Sequence, residues 1–286
     1  MENLEFRLLE HYRFGIIDPL LNPLMQEQLA DLPKYCLAPD ELDIQKNVLP
    51  CLVDFSELSR LRRLELFTSL ELNFSHKIPC GFSALFASAR PAETLVAHLR
   101  KQFIRIDLQN NRTLFRFHDP RVWLQLQWML DTTSIQQLMG PIDKWMYQLD
   151  WTWHVFEKPE NEGSSSARPN RRQQQVQIER IGLINRVIKS QSLPSNIALI
   201  ETGKKVSQLI ERAQLRHNMS DAYDLIAYAI DGLILGDAFD AHPLIVKTLK
   251  QLSDPEITYK EAMRDIDSDA MKKITAELNS ANRRNT

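Results

Sequence analysis

Cysteine is scarce in this chain. Cys36, Cys51 and Cys80 are the only three, an odd set without a C-x-x-C spacing, which argues against a disulfide framework and against a tetrahedral zinc site. Reduced, partly buried thiols are expected, with no metal and no cofactor. Long apolar runs are missing too. The most apolar stretch, Leu225 to Leu235, is too short for a bilayer and carries Asp231, so no membrane insertion is expected. The start, MENLEFRLLEHYRFGI, places Glu2, Glu5 and Glu10 where an export signal needs basic and then continuously apolar residues, and a cytoplasmic location is the expectation. An excess of one charge is also absent. With 35 basic and 37 acidic residues the net charge is −2, and neither the region before residue 175 nor the one after it is basic. Nucleic acid is therefore not expected as the main partner. Gly203-Lys204-Lys205 echoes a phosphate loop but lacks the upstream glycine and the following Ser or Thr. Cys51 or Cys80 with His76 sits in no recognisable nucleophile context. No internal repeat is evident.

What is present is enough apolar material for real cores, 43% of 286 residues, divided by one polar interruption. Glu157 to Gln175, EKPENEGSSSARPNRRQQQ, has no large apolar residue and concentrates Pro, Gly, Ser and charge. It reads as a flexible linker (157–175) between an N-terminal lobe (1–156) and a C-terminal lobe (176–286). Strands are expected at Tyr12 to Ile17, Val48 to Phe55 and around Ile78 to Ala87. A helix follows from Pro91, with Ala92, Leu95, Val96, Leu99 and Phe103 as one apolar stripe. Phe103 to Leu108 and Thr113 to His118 would pair across Gln109 to Arg112. After the linker the period is helical. Ala222, Leu225, Ile226, Ala229, Ile230, Leu233 and Ile234 form a stripe that Gly236 should end. Ser253 and Glu256 have capping-box spacing, and Met271, Ile274 and Leu278 form a narrower stripe. The expected fold class is α+β, a mixed α/β lobe followed by an all-helical one.

The stretch from Leu114 to Tyr147 carries the most specific syntax. Thr113 to His118 alternates, placing Phe115 and Phe117 on one face and Leu114, Arg116 and His118 on the other, as a half-buried strand would. Asp119 then caps a helix whose first residue is Pro120, where the missing N–H costs no bond. This junction, Phe115-Arg116-Phe117-His118-Asp119-Pro120-Arg121-Val122, resembles the F-R-F-x-D-P-R-V junction of the type VI secretion effector adaptor (chaperone) family, the Tap/Tec type. The similarity continues through Leu138, Gly140, Pro141, Ile142 and Trp145, and more loosely over residues 12 to 155. The resemblance implies a non-enzymatic adaptor that binds and stabilises a cognate toxic effector and promotes its loading onto the VgrG spike protein. It further implies that the helical lobe, the part that varies among relatives, helps to choose the cargo.

Candidate chemistry has to be set against plainer structural roles. His118, Asp119, Arg116 and Arg121 would suit a hydrolase, but Asp119 is already used as a cap that a neighbouring arginine can brace. Trp123, Trp128, Trp145, Trp151 and Trp153 suit either a core or a binding face, and Trp151 and Trp153 would share one strand face if extended. Asp221, Asp224, Asp231, Asp237 and Asp240 have no Lys or Arg between them and could receive a basic segment, or form a solvated helix face. The expected partner-binding set is Arg116, Arg121, Trp145, Trp151, Trp153, Asp221, Asp224 and Asp231. Phe115, Phe117, Asp119, Pro120, Gly140 and Pro141 are expected to be structural. Two other classes stay open: an immunity protein bound to a toxin, and a hydrolase using His118 and Asp119.

Overall fold

The computed structural model describes residues 11–21, 31–39, 41, 49–78, 81–160, 171–191, 196–254 and 256–282. By its internal contacts the chain divides into two compact units, Met1–Gln175 and Val176–Thr286. The fold is α+β, with its β-sheets in the first unit.

In that unit the strands are β1 (Phe14–Ile17), β2 (Tyr35–Cys36), β3 (Cys51–Asp54), β4 (Ala84–Ala87), β5 (Ile104–Ile106), β6 (Arg112–Leu114), β7 (Lys144–Leu149) and β8 (Thr152–Glu157). Six of them make one antiparallel sheet in the order β2-β3-β1-β4-β7-β8, and β5 and β6 form a separate hairpin. The helices are α1 (Arg60–Ser75), α2 (Ala92–Gln102), α3 (Pro120–Met129) and α4 (Thr132–Met139). Strand side chains alternate between faces, and both faces of the central strands are buried. On one side Val53, Leu85 and Met146 pack with Phe55, Phe82 and the α1 residues Leu66, Phe67 and Leu70. Gly15 in β1 permits this, since a Cβ there would lie 2.6 Å from the Phe82 ring and 2.8 Å from that of Phe55. On the other side Phe86 meets Trp145 at 4.4 Å between ring centroids, and Trp145 stacks on Trp123 of α3 at 4.0 Å and 8°. Phe117 closes the same cluster between Phe103 and Trp145.

The predicted strands at 12–17, 48–55 and 78–87 correspond to β1, β3 and β4, with 48, 79 and 80 outside the described residues. Helix α2 follows Pro91 and buries Ala92, Leu95, Val96 and Leu99 as its spacing requires. The hairpin is shorter and shifted: Ile104 pairs with Leu114, and Asp107 sets the turn by accepting from the amides of Gln109 and Asn111. Strand β6 therefore ends at Leu114. The expected alternation through His118 fails, because the chain leaves the hairpin and sinks, burying Phe117 and His118 together.

The linker reading extends too far at both ends. Glu157 closes β8 opposite Lys144, 2.6 Å from its ammonium, and Arg171–Glu179 is helix α5. Gln174 and Gln175 bond Asp131 and the carbonyl of Ile106. Composition could not show this, since glutamines and arginines make a good helix surface as readily as a loop. Residues 161–170 lie outside the described set.

The second unit is helical among its described residues: the end of α5, α6 (Ile181–Lys189), α7 (Asn196–His217), α8 (Ala222–Leu235), α9 (Pro243–Leu249), α10 (Tyr259–Ala262) and α11 (Ser268–Asn282), with short 3-10 turns. Gly203 lies inside α7, so no loop exists there to cradle a phosphate. Gly236 ends α8 at φ 104°, a conformation glycine adopts without a Cβ penalty. The buried stripe of α8 is Leu225, Tyr228, Ala229, Gly232 and Leu235. It is rotated from the expected one, because Tyr228 supplies the core side chain and Gly232 lets α7 approach, a Cβ there falling 2.5 Å from Leu209. The capping box belongs to Thr258 and Glu261 at the start of α10, not to Ser253 and Glu256. Ile274 is buried on α11 as predicted.

Candidate functional site

The junction between β6 and α3 is a polar knot under the aromatic cluster. Asp119 caps α3, its carboxylate accepting from the Arg121 amide at 2.9 Å. The same carboxylate takes the Arg121 guanidinium in a fork at 3.0 and 2.6 Å. A residue the sequence did not single out, Asp18 at the end of β1, holds the other half. Its buried carboxylate accepts from Arg116 at 2.6 Å and from His118 Nε2, while the Leu20 amide bonds it at 2.8 Å. An ionised carboxylate only accepts, so the His118 proton facing it resides on Nε2. Burial alone would raise the Asp18 pKa. The His118 hydrogen bond, the neighbouring charges and the Leu20 amide outweigh it and hold the group below its ordinary value.

This arrangement separates the residues of the hydrolase reading. His118 is fully buried and bonded to Asp18, whereas Asp119 is engaged by Arg121 and the helix end. Asp119→Ala is expected to lose about 0.5 to 2 kcal/mol of stability, the usual worth of an N-cap. A thermal melt that matched the parent protein would show that the cap carries no weight.

Gly140 and Pro141 are structural in a specific way. Gly140 ends α4 at φ 54°, and a Cβ on it would lie 2.2 Å from the His98 ring, which is itself bonded to the Leu138 carbonyl at 2.9 Å. Pro141 offers its carbonyl to the Ser88 hydroxyl at 2.6 Å.

The expected partner-binding residues fare unevenly. Trp145 is a correction: it is completely buried against Trp123 and Phe86 and cannot be a surface anchor. Trp151 and Trp153 do not share a strand face. Asp150 and Trp151 form the two-residue turn between β7 and β8, both with positive φ as a type I′ turn requires, and Trp153 leans on the core. Trp151, 41% exposed, is the tryptophan offered to solvent at that tip. Arg116 is turned inward to Asp18, and Arg121 stays half-exposed beside Asp119. In the second unit the acidic run is largely used internally. Asp221 caps α8, Asp231 accepts from the Tyr259 hydroxyl at 2.8 Å, Asp237 pairs with Lys205 at 3.2 Å, and Asp240 collects Tyr228, Arg212 and His217. Burial raises the Asp231 pKa against the opposing effect of that hydroxyl. Asp224 lies in the first turn of α8.

Apolar side chains on two helices face solvent, among them Ile234, which the expected α8 stripe had included. On α1, Leu61, Leu64 and Leu72 lie opposite the core residues, with Leu61 66% exposed. On α8, Tyr223 and Ile234 lie one face away from the buried stripe, at 78% and 61% exposure. A helix with apolar residues on more than one face was the available signal. Among the described residues no cluster of His, Cys, Asp or Glu could hold a metal ion, and no helix is long and apolar enough to cross a membrane.

Residues 14–138 match a family described as a domain of unknown function, DUF4123, which is associated with type VI secretion effector adaptors. The matched stretch runs from β1 to the last turn of α4 and contains the whole Asp18–Arg116–His118 and Asp119–Arg121 knot. No curated protein and no solved structure matches the chain.

Proposed function

We propose that this protein is a cytoplasmic, non-enzymatic adaptor of type VI secretion that binds a cognate toxic effector, keeps it stable and promotes its loading onto the VgrG spike. The observation that carries the reading is the DUF4123 match over residues 14–138 of the α/β unit, which includes the junction that resembles the adaptor family. The exposed stripes on α1 and α8 support it, since exposed apolar side chains at helical spacing are the material of a protein-binding face. In this reading the α/β unit serves the shared secretion step, and the helical unit meets the cargo through Tyr223 and Ile234.

Deleting the gene is expected to leave spike synthesis intact while lowering the abundance or spike loading of the effector encoded beside it. Effectors served by other adaptors should still be delivered. In pull-downs, Tyr223→Asp with Ile234→Asp should weaken effector capture by about tenfold or more, the scale of losing one interface anchor, with little change in Tm because both side chains are exposed. Full loading in the deletion strain would end the adaptor reading. Full capture by the double variant would end only the assignment of cargo binding to α8.

A further inference from the structure

Cys36 and Cys51 are directly opposite one another across β2 and β3. The next pair along the ladder is joined by the Leu37 amide donating to the Pro50 carbonyl at 3.0 Å. Hydrogen-bonded and non-hydrogen-bonded pairs alternate in an antiparallel ladder, so Cys36 and Cys51 occupy a non-hydrogen-bonded site. There Cα atoms stand about 4.5 Å apart and side chains approach most closely. That spacing lies within the range that disulfides span. Both thiols are free and only partly buried. Strand β2 is the sheet edge, and Arg100 of α2 holds it in place by donating to the Cys36 carbonyl at 3.2 and 2.9 Å.

We propose that Cys36 and Cys51 are a modification site, a vicinal cross-strand thiol pair that oxidised glutathione converts reversibly to a disulfide, stapling the edge strand to the sheet. Burial pushes the Cys51 thiol up to about 11, and the Cys36 sulfur beside it adds to the rise, so the first attack falls to Cys36. The Cys36 thiolate attacks one sulfur of glutathione disulfide, forming a mixed disulfide and releasing one glutathione thiolate. Cys51 then gives up its proton to solvent and displaces the second glutathione thiolate, which is protonated in turn. The two protein thiols lose two electrons, and one glutathione disulfide becomes two glutathiones. In a reducing compartment the pair stays open, and the bond forms as the glutathione pool is oxidised. This inference is independent of the adaptor reading.

The full chain should be equilibrated with graded ratios of oxidised to reduced glutathione, blocked with an alkylating agent and digested with trypsin. Peptides 35–46 and 47–60, which lie between Lys34, Lys46 and Arg60, are expected to appear joined, two hydrogens lighter than their sum. Dithiothreitol should separate them. Oxidation should raise Tm by about 5 °C, as closing a loop of this length constrains the unfolded chain. The rise should vanish in Cys36→Ser and in Cys51→Ala, and persist in Cys80→Ala. Should one serine or alanine variant fail to fold, the peptide map of the unaltered chain still decides. Both thiols remaining open to alkylation, glutathione retained on a single cysteine, or a link that includes Cys80 would each overturn the proposal.

Discussion

Gly140→Ala should cost the protein most of its stability, with soluble yield and Tm both falling sharply. Two independent penalties meet at that residue. Its backbone at φ 54° and ψ −114° lies where a side chain is strained, an effect on the order of 1 to 3 kcal/mol. The added methyl would also fall 2.2 Å from a His98 ring that cannot swing away without giving up its bond to Leu138. The two can be separated. In a His98→Ala background the steric part is relieved while the backbone part remains, so Gly140→Ala should be tolerated better there, though still below the parent. A single variant that melts within about 1 °C of the unaltered protein would show that α4 ends differently from the geometry described.

Asp18→Ala is expected to destabilise by about 3 kcal/mol or more, the usual cost of removing one member of a buried charged pair. It takes the bonded carboxylate from the fully buried His118 and from the Arg116 guanidinium at once. The pH dependence identifies the cause. The Asp18 carboxyl titrates lower in the folded protein than in the unfolded chain. Its contribution is therefore complete above the ordinary carboxylate range and disappears as pH falls through the depressed folded value. The gap in Tm between the parent and Asp18→Asn should be wide at neutral pH and narrow only on the acid side. A gap that stayed constant down to pH 2 would mean that packing, not charge, sets the effect.

Much of this architecture was legible because local rules governed it. Helix α2 has one apolar stripe, Asp119-Pro120 joins a capping side chain to a residue suited to the first helical position, and Gly236 ends α8 at a positive φ that glycine adopts without penalty. The errors came where distant residues decide. Asp18 lies about a hundred positions from His118 in sequence, and nothing near it announces a partner. The spacing of α8 fits two overlapping stripes, and the choice between them was made by Gly232 meeting Leu209 and by Tyr228 reaching Asp240. Trp145 and Trp151 are alike as sequence letters, yet one sits in an inner strand of a sheet covered on both faces and the other at a hairpin tip. The Cys36–Cys51 pairing depends on strand register, which spacing alone cannot supply.

The six-stranded sheet also reaches beyond the segment that matches a family. The family match stops at residue 138, before β7 begins, yet β7 lies inside the sheet between β4 and β8 and carries Trp145, Met146 and Tyr147 into the core on both sides. A fragment trimmed to the matched boundary would leave β4 as a bare edge, with Phe86 and Trp123 facing water where a ring had covered them. Such an edge invites pairing with other copies. The smallest piece that keeps β4 and β7 paired on both edges therefore runs through Glu157, and the matched segment alone is not a unit of stability.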